Sequence, residues 1–248
     1  MNKRKWMLLL VPCVLALAAI PVLAQDGSQP IKAEITDGAR PEFDLVYARV
    51  ERFGSTLLFH QVVVGEAGTL IPEATGEFAG AAVYSYVWPT SLDSAVVGFE
   101  PEQGILALAV TSHPDFDDTP LVDEDGDGDH GDDGELWHSH WVVLVADEAC
   151  GENGLKVKDI PEGEMPAVPA TWPGVPLLID SPSYNLELIG DEIVVEVPHA
   201  AVDFAEHFNF DGVTAGLQIN RNLHDPLLCV TLVEDIASGD LSLPGIAN

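Results

Sequence analysis

The stretch FDLVYARVERFGSTLLFHQVVV, Phe43–Val64, sets the fold class. Its two halves, Phe43–Val50 and Thr56–Val64, are rich in β-branched and aromatic residues, with Gly54 between them, and both read as strands. The same signal returns at Ala81–Trp88, Ala95–Phe99, Ile105–Ser112 and Leu136–Ala146. It continues at Leu155–Asp159, Leu177–Asp180, Tyr184–Ile189, Glu192–Val197, Val213–Asn220 and Leu227–Glu234. Gly, Pro or Asp separates the runs, and only the short segment Ala200–His207 reads as helix. About a dozen short strands at this spacing predict an all-β chain, an antiparallel β-sandwich of jelly-roll type.

The N-terminus has the form of a signal peptide over residues 1–24. Lys3, Arg4 and Lys5 precede an uncharged run from Trp6 to Ala24, and Val22-Leu23-Ala24 offers a cleavage site of the A-x-A kind. The run is long enough to span a bilayer, but Pro12 and Pro21 interrupt it and no basic stop-transfer cluster follows. The expectation is therefore cleavage, no membrane span after processing, and a periplasmic or secreted location. Cys13 leaves with the leader, and Cys150 and Cys229 remain as a pair that an oxidising compartment joins in a disulfide. Residues 25–41, with Gly27, Pro30, Gly38 and Pro41, read as a flexible lead-in, and 42–248 as a single sandwich domain. Within that domain the Pro-rich segment 161–176 reads as a long extended crossover.

Charge narrows the choice of partners. Beyond residue 24 only Lys32, Arg40, Arg49, Arg52, Lys156, Lys158 and Arg221 are basic, against 41 Asp and Glu. Such a surface repels nucleic acid and anionic head groups and attracts cations. Salt adaptation accounts for scattered acids, and less well for their clustering at 115–135.

That cluster reads DEDGDGDHGDDGE from Asp123 to Glu135. Asp123, Asp125 and Asp127 alternate, and Gly128 follows where a calcium loop turns sharply. The second half departs from an EF-hand, because Gly134 stands at the twelfth position and the acid falls at Glu135. The flanks Thr119-Pro120-Leu121-Val122 and Leu136-Trp137 do not read as helices. The expectation is a calcium loop between two strands, with Asp129, Asp132, Asp133 or Glu135 completing the shell; the bland alternative is an acidic connector.

In the following strand, LWHSHWVVL (Leu136–Leu144), alternation places His138 and His140 on one face with Leu136, Val142 and Leu144. Same-face neighbours lie about 6.7 Å apart along a strand, a spacing that lets two imidazoles converge on zinc or copper. His113 joins them if Ile105–Ser112 pairs with this strand so that His113 lies opposite Leu136. A slip of one residue would turn it away. His60 is the reserve third ligand, and buried sheet histidines bonded to their neighbours are the competing reading.

FDLVYARVERFGSTLLFHQVVV and the later GDEIVVEVPHAAVDFAEHFNFDGVTAGLQIN (Gly190–Asn220) resemble the opening and closing strand patterns of secreted DOMON and family 9 carbohydrate-binding sandwiches. That resemblance implies a sandwich acting as a small-ligand module; residues 77–150 depart from the pattern, so no binding residue carries over. HxHW on a strand also resembles the zinc motif of α-type carbonic anhydrases, in which the third histidine comes from a later strand. His199, His207 and His224 have no matching context here.

No GxSxG, HExxH, P-loop or GxGxxG is present. Trp88, Trp137, Trp141 and Trp172 read either as a sugar-stacking surface or as core. The expected function is that of an exported acidic metal-binding β-sandwich protein, with calcium in the Asp-rich loop and zinc or copper at the His-x-His strand. The alternatives are a zinc-dependent hydratase or hydrolase, and a calcium-stabilised carbohydrate-binding or structural module. Metal ions are the expected partners, with a small molecule or carbohydrate as a further one.

Overall fold

A computed structural model describes residues 27–116, 128, 136–220 and 225–248, and in it the Phe43–Val64 stretch forms a tight hairpin. Strands β2 (Leu45–Phe53) and β3 (Thr56–Val63) pair from Phe53↔Thr56 outward, around a two-residue turn at Gly54-Ser55. Gly54 sits at φ +65°, a left-handed conformation that glycine takes without steric cost and that matches the twist of the flanking strands. The hairpin of β9 (Asn185–Ile189) with β10 (Glu192–Pro198) uses Gly190-Asp191 in the same way, with Gly190 at φ +63°. With β1 (Ile31–Lys32), these strands form an antiparallel five-stranded sheet in the order β1-β2-β3-β10-β9.

The second sheet runs β5 (Ile105–Ser112), β4 (Ala82–Pro89), β12 (Val213–Ile219), β13 (Leu228–Ile236), β7 (Leu155–Val157), β6 (His138–Ala146) and β8 (Ile179–Asp180). Because β5 also pairs with β6, six of its strands close into a barrel. A small third ladder joins β11 (Phe208–Phe210) to β14 (Gly245–Ala247). The predicted all-β, antiparallel, sandwich-like class holds; closure of one layer into a barrel is the added feature.

Two cores result, one on each side of the shared wall β4-β5-β6. Between the five-stranded sheet and that wall lie Phe59, Ile193 and Val195 against Trp88, Leu108, Trp141 and Val143. The Phe59 ring meets Trp88 and Trp141 edge to face, with centroids 5.9 and 6.0 Å apart. Trp88 and Trp141 are thus core residues and no part of a sugar-stacking surface. Inside the barrel lies the second cluster, with Val87, Ala109, Val142, Leu144, Ala215 and Ile179. Strands β5 and β6 are buried on both faces, which is why ILALAV and the WVVLVA part of β6 read as continuous apolar runs.

The barrel closes most thinly at β7. Cys229↔Lys156 is the sole residue pair given by the β7–β13 ladder among the described residues. The Cys150–Cys229 disulfide, Cα atoms 5.5 Å apart, reinforces this seam. Lys156 adds ion pairs to Asp147 at 2.9 Å and to Asp159 at 2.5 Å.

Four local expectations change. Ala95–Phe99 is not a strand: Asp93 accepts from the Ala95 amide at 2.9 Å and caps a 3-10 turn over Ser94–Val97, which Gly98 ends at φ +107°. Ala200–His207 is not a helix beyond a 3-10 turn at His199–Val202, terminated by Asp203 and Phe204 at φ +49° and +56°. Residues 27–41 are tied down: Ile31 pairs with Ala48, Gln29 bridges Ile246, and the Thr36 amide donates to Asp44 at 2.9 Å. The Pro-rich segment 161–176 is a closed excursion. It leaves and returns at one point, where Asp159 bridges Leu177 and the Ile160 amide donates to the Pro176 carbonyl at 2.8 Å. Strands β7 and β8 lie along the same edge of β6, so the excursion interrupts what is otherwise one strand. Among the described residues, no helix is long and apolar enough to cross a membrane.

Replacing both Cys150 and Cys229 by Ser should lower unfolding stability by about 4 kcal/mol on the chain-entropy model, read by urea denaturation. Unchanged stability would mean that the seam is held without the disulfide.

Candidate metal centre

Strands β5 and β6 pair without a bulge, from Ile105↔Leu144 to Thr111↔His138. Continued by two residues, this register places His113 across from Leu136, as the sequence reading requires. Side-chain alternation then aims His113, His138 and His140 to the barrel side, while Trp141 and Val143 face the sandwich core. All three imidazoles are buried, with 1–4% of their surface exposed.

The three rings meet. His113 Nε2 lies 2.9 Å from His138 Nε2, and one nitrogen from each histidine lies within 4.8 Å of the others. Each Nδ1 faces an oxygen: His113 that of the Phe116 carbonyl at 2.7 Å, and His138 that of the Leu136 carbonyl at 2.8 Å. His140 Nδ1 faces Ser181 Oγ at 3.0 Å and the Asp180 carbonyl at 3.3 Å. A carbonyl only accepts, so Nδ1 carries the ring proton in His113 and His138, and the Nε2 lone pairs turn toward the centre. Two such lone pairs at 2.9 Å repel unless a proton or a cation lies between them. A tetrahedral zinc with Zn–N of about 2.0–2.1 Å spaces its nitrogens about 3.3 Å apart, close to what the cluster offers.

The surroundings fix each ring. His113 stacks on Phe116 with centroids 4.3 Å apart and planes 7° off parallel. Asp115 anchors the same turn by accepting from the Gly76 and Thr75 amides at 2.7 and 2.9 Å. On the opposite face of β6, Ser139 Oγ accepts from the Tyr184 amide at 2.8 Å, and Trp141 Nε1 donates to Tyr184 Oη at 3.1 Å. Asp180 accepts from Thr171 Oγ1 at 2.6 Å, and burial pushes its carboxyl up to about 6. This arrangement, in which the second ring nitrogen of each ligand is held by an oxygen, orients imidazoles and raises their basicity at metal sites.

The other expected residues fall elsewhere. His60 lies on the outer face of the five-stranded sheet, paired across from Arg49 and Val194, with Glu192 at 3.5 Å. It cannot serve as the third ligand. Burial, opposed by Glu192, lowers its pKa. His199 is buried and faces the Ala205 carbonyl at 2.9 Å, a local role within its turn. Asp123, Asp125, Asp127, Asp129, Asp132, Asp133 and Glu135 lie outside the described residues. Phe116, Asp180 and Ser181 were missed by sequence reasoning, and only the closeness of Phe116 to His113 could have suggested one of them.

No protein-family model, curated protein or solved structure matches the chain.

Nitrogen NMR of the metal-free protein at neutral pH should show protonated Nδ1 in His113 and His138. An Nε2–H tautomer with unprotonated Nδ1 at both would contradict this geometry.

Proposed function

We propose that this protein is an exported binder of a transition metal, zinc or copper, held by Nε2 of His113, His138 and His140. The observation that carries the reading is the convergence of three buried imidazoles whose Nδ1 atoms already face oxygens. Neutral nitrogen donors suit zinc and copper and ill suit calcium or magnesium. The disulfide and the basic-apolar-small pattern of residues 1–24 support export. A separate calcium loop at Asp123, Asp125, Asp127, Asp129 and Glu135 is supported by the alternating carboxylates and Gly128 alone.

Three nitrogen donors leave one position of a tetrahedral ion free, the ligand count of catalytic zinc sites. That count favours metal-activated hydration or hydrolysis as the second reading, to be tested by hydratase and esterase assays of the zinc-loaded protein.

Elemental analysis of protein purified without chelator or histidine tag should find zinc or copper near one per chain. The double variant His138→Ala/His140→Ala should lose it while keeping any calcium. Zinc at a hundredfold excess over its dissociation constant should stabilise the wild type by about 2.7 kcal/mol and leave the double variant unaffected. Absence of both metals, with melting unmoved by zinc or chelator, would sink the proposal.

A further inference from the structure

The barrel lumen is not fully packed. A cavity of about 170 Å³ lies in it, lined by His113, His140, Phe116, Ala109 and Ala215 and open to the surface beside the exposed Ile105, Val233 and Leu241. Its walls are apolar, and two short side chains, Ala109 on β5 and Ala215 on β12, stand where larger ones would fill the space. The hydroxyls that line it are almost all engaged: Ser85 Oγ donates to the Ala215 carbonyl at 2.9 Å, and Thr90 Oγ1 to the Leu106 carbonyl at 2.8 Å. Thr111 is the exception. It is 6% exposed, lines the cavity, and its Oγ1 has no hydrogen-bond partner among the described residues.

A buried hydroxyl without a partner is uncommon in a folded protein and calls for an explanation. A water held there would want two to four polar neighbours, whereas the walls around Thr111 are apolar apart from the His113 and His140 rings, whose Nδ1 atoms already face the Phe116 carbonyl and Ser181 Oγ. An apolar cavity of about 150 Å³ stays dry and takes up benzene, so this lumen suits an occupant of roughly that size. Small-molecule sites combine such apolar walls with a few placed polar atoms.

We propose that the lumen binds a compact, largely apolar molecule bearing one hydroxyl or carbonyl oxygen, which hydrogen-bonds to Thr111 Oγ1. The site stands on the cavity and on Thr111, and does not depend on metal at the histidines. Its test therefore uses full-length protein freed of metal by chelation, with toluene and benzyl alcohol as probes and calorimetry as the readout.

Wild-type protein should bind both probes, benzyl alcohol more tightly. Thr111→Val should weaken benzyl alcohol about fivefold and leave toluene unchanged, since one neutral hydrogen bond is lost. Ala109→Leu, which fills the lumen, should abolish both. Methyl NMR shifts at Val87 and Val142 on adding toluene locate the probe without any substitution. Failure of wild-type protein to bind either probe, toluene binding that leaves those methyls unmoved, or equal weakening of both probes by Thr111→Val would overturn the proposal.

Discussion

The arrangement depends above all on the register of β5 against β6. Thr111 opposite His138 puts every second residue of both strands into the barrel and the intervening ones into the sandwich core. A slip of one residue on β6 would drive His138 and His140 against Phe59 and the five-stranded sheet, and would carry Trp141 into the lumen. Neither exchange can be accommodated: imidazoles would lose their oxygen partners, and a large indole would enter a space lined by Ala109 and Ala215. The Trp141–Phe59 contact therefore fixes the histidines as surely as their own hydrogen bonds do.

Sharing one wall between two cores has a cost at the far side of the barrel. Strands β4, β5 and β6 are held from both sides, whereas β7 is three residues long and meets β13 at a single described pair. The Cys150–Cys229 disulfide and the bond that the Leu227 amide donates to Asp159 at 3.1 Å compensate there. Scarce cations serve the same end elsewhere: Arg40 joins the lead-in to β13 through Glu234 at 2.6 Å and lies 4.7 Å from the ring centroids of Phe43 and Tyr84. Arg49 pairs with Glu51 on its own strand at 2.5 Å and donates to Ser28 Oγ in the lead-in at 3.4 Å. In a chain so rich in carboxylates, these basic residues act as internal clamps.

What the sequence could and could not disclose follows from the range of each signal. Period-two alternation is local, so the shared face of His138 and His140 was legible, and the histidine three residues from Phe116 needed only the correct pairing of two neighbouring runs. Barrel closure was not legible: the Cys150–Cys229 bond was expected, but the three-residue β7 beside it carries almost no pattern of its own. Ser181 and Asp180 reach His140 only through β8, a two-residue strand. At Ala95–Phe99 the apolar run suggested a strand, but a single capping aspartate before it outweighed β-propensity. His60 sat in a convincing strand whose outer face pointed away from the other histidines.

The interruption between β7 and β8 has a consequence for how this protein can change. Thr171 near the end of the excursion is tied to Asp180 and to the Ser181 amide, but Asp159 and Leu177 are bridged where the excursion leaves and rejoins the edge of β6, so its exposed tip at residues 161–165 is set apart from the barrel's geometry. Chain can be lengthened, shortened or exchanged there without shifting a register, since both anchoring points stay together and loop-closure entropy grows only slowly with length. The tip at 161–165 is thus a built-in splice point, where a foreign recognition loop could be grafted while Thr171, the histidine cluster and the lumen stay as they are.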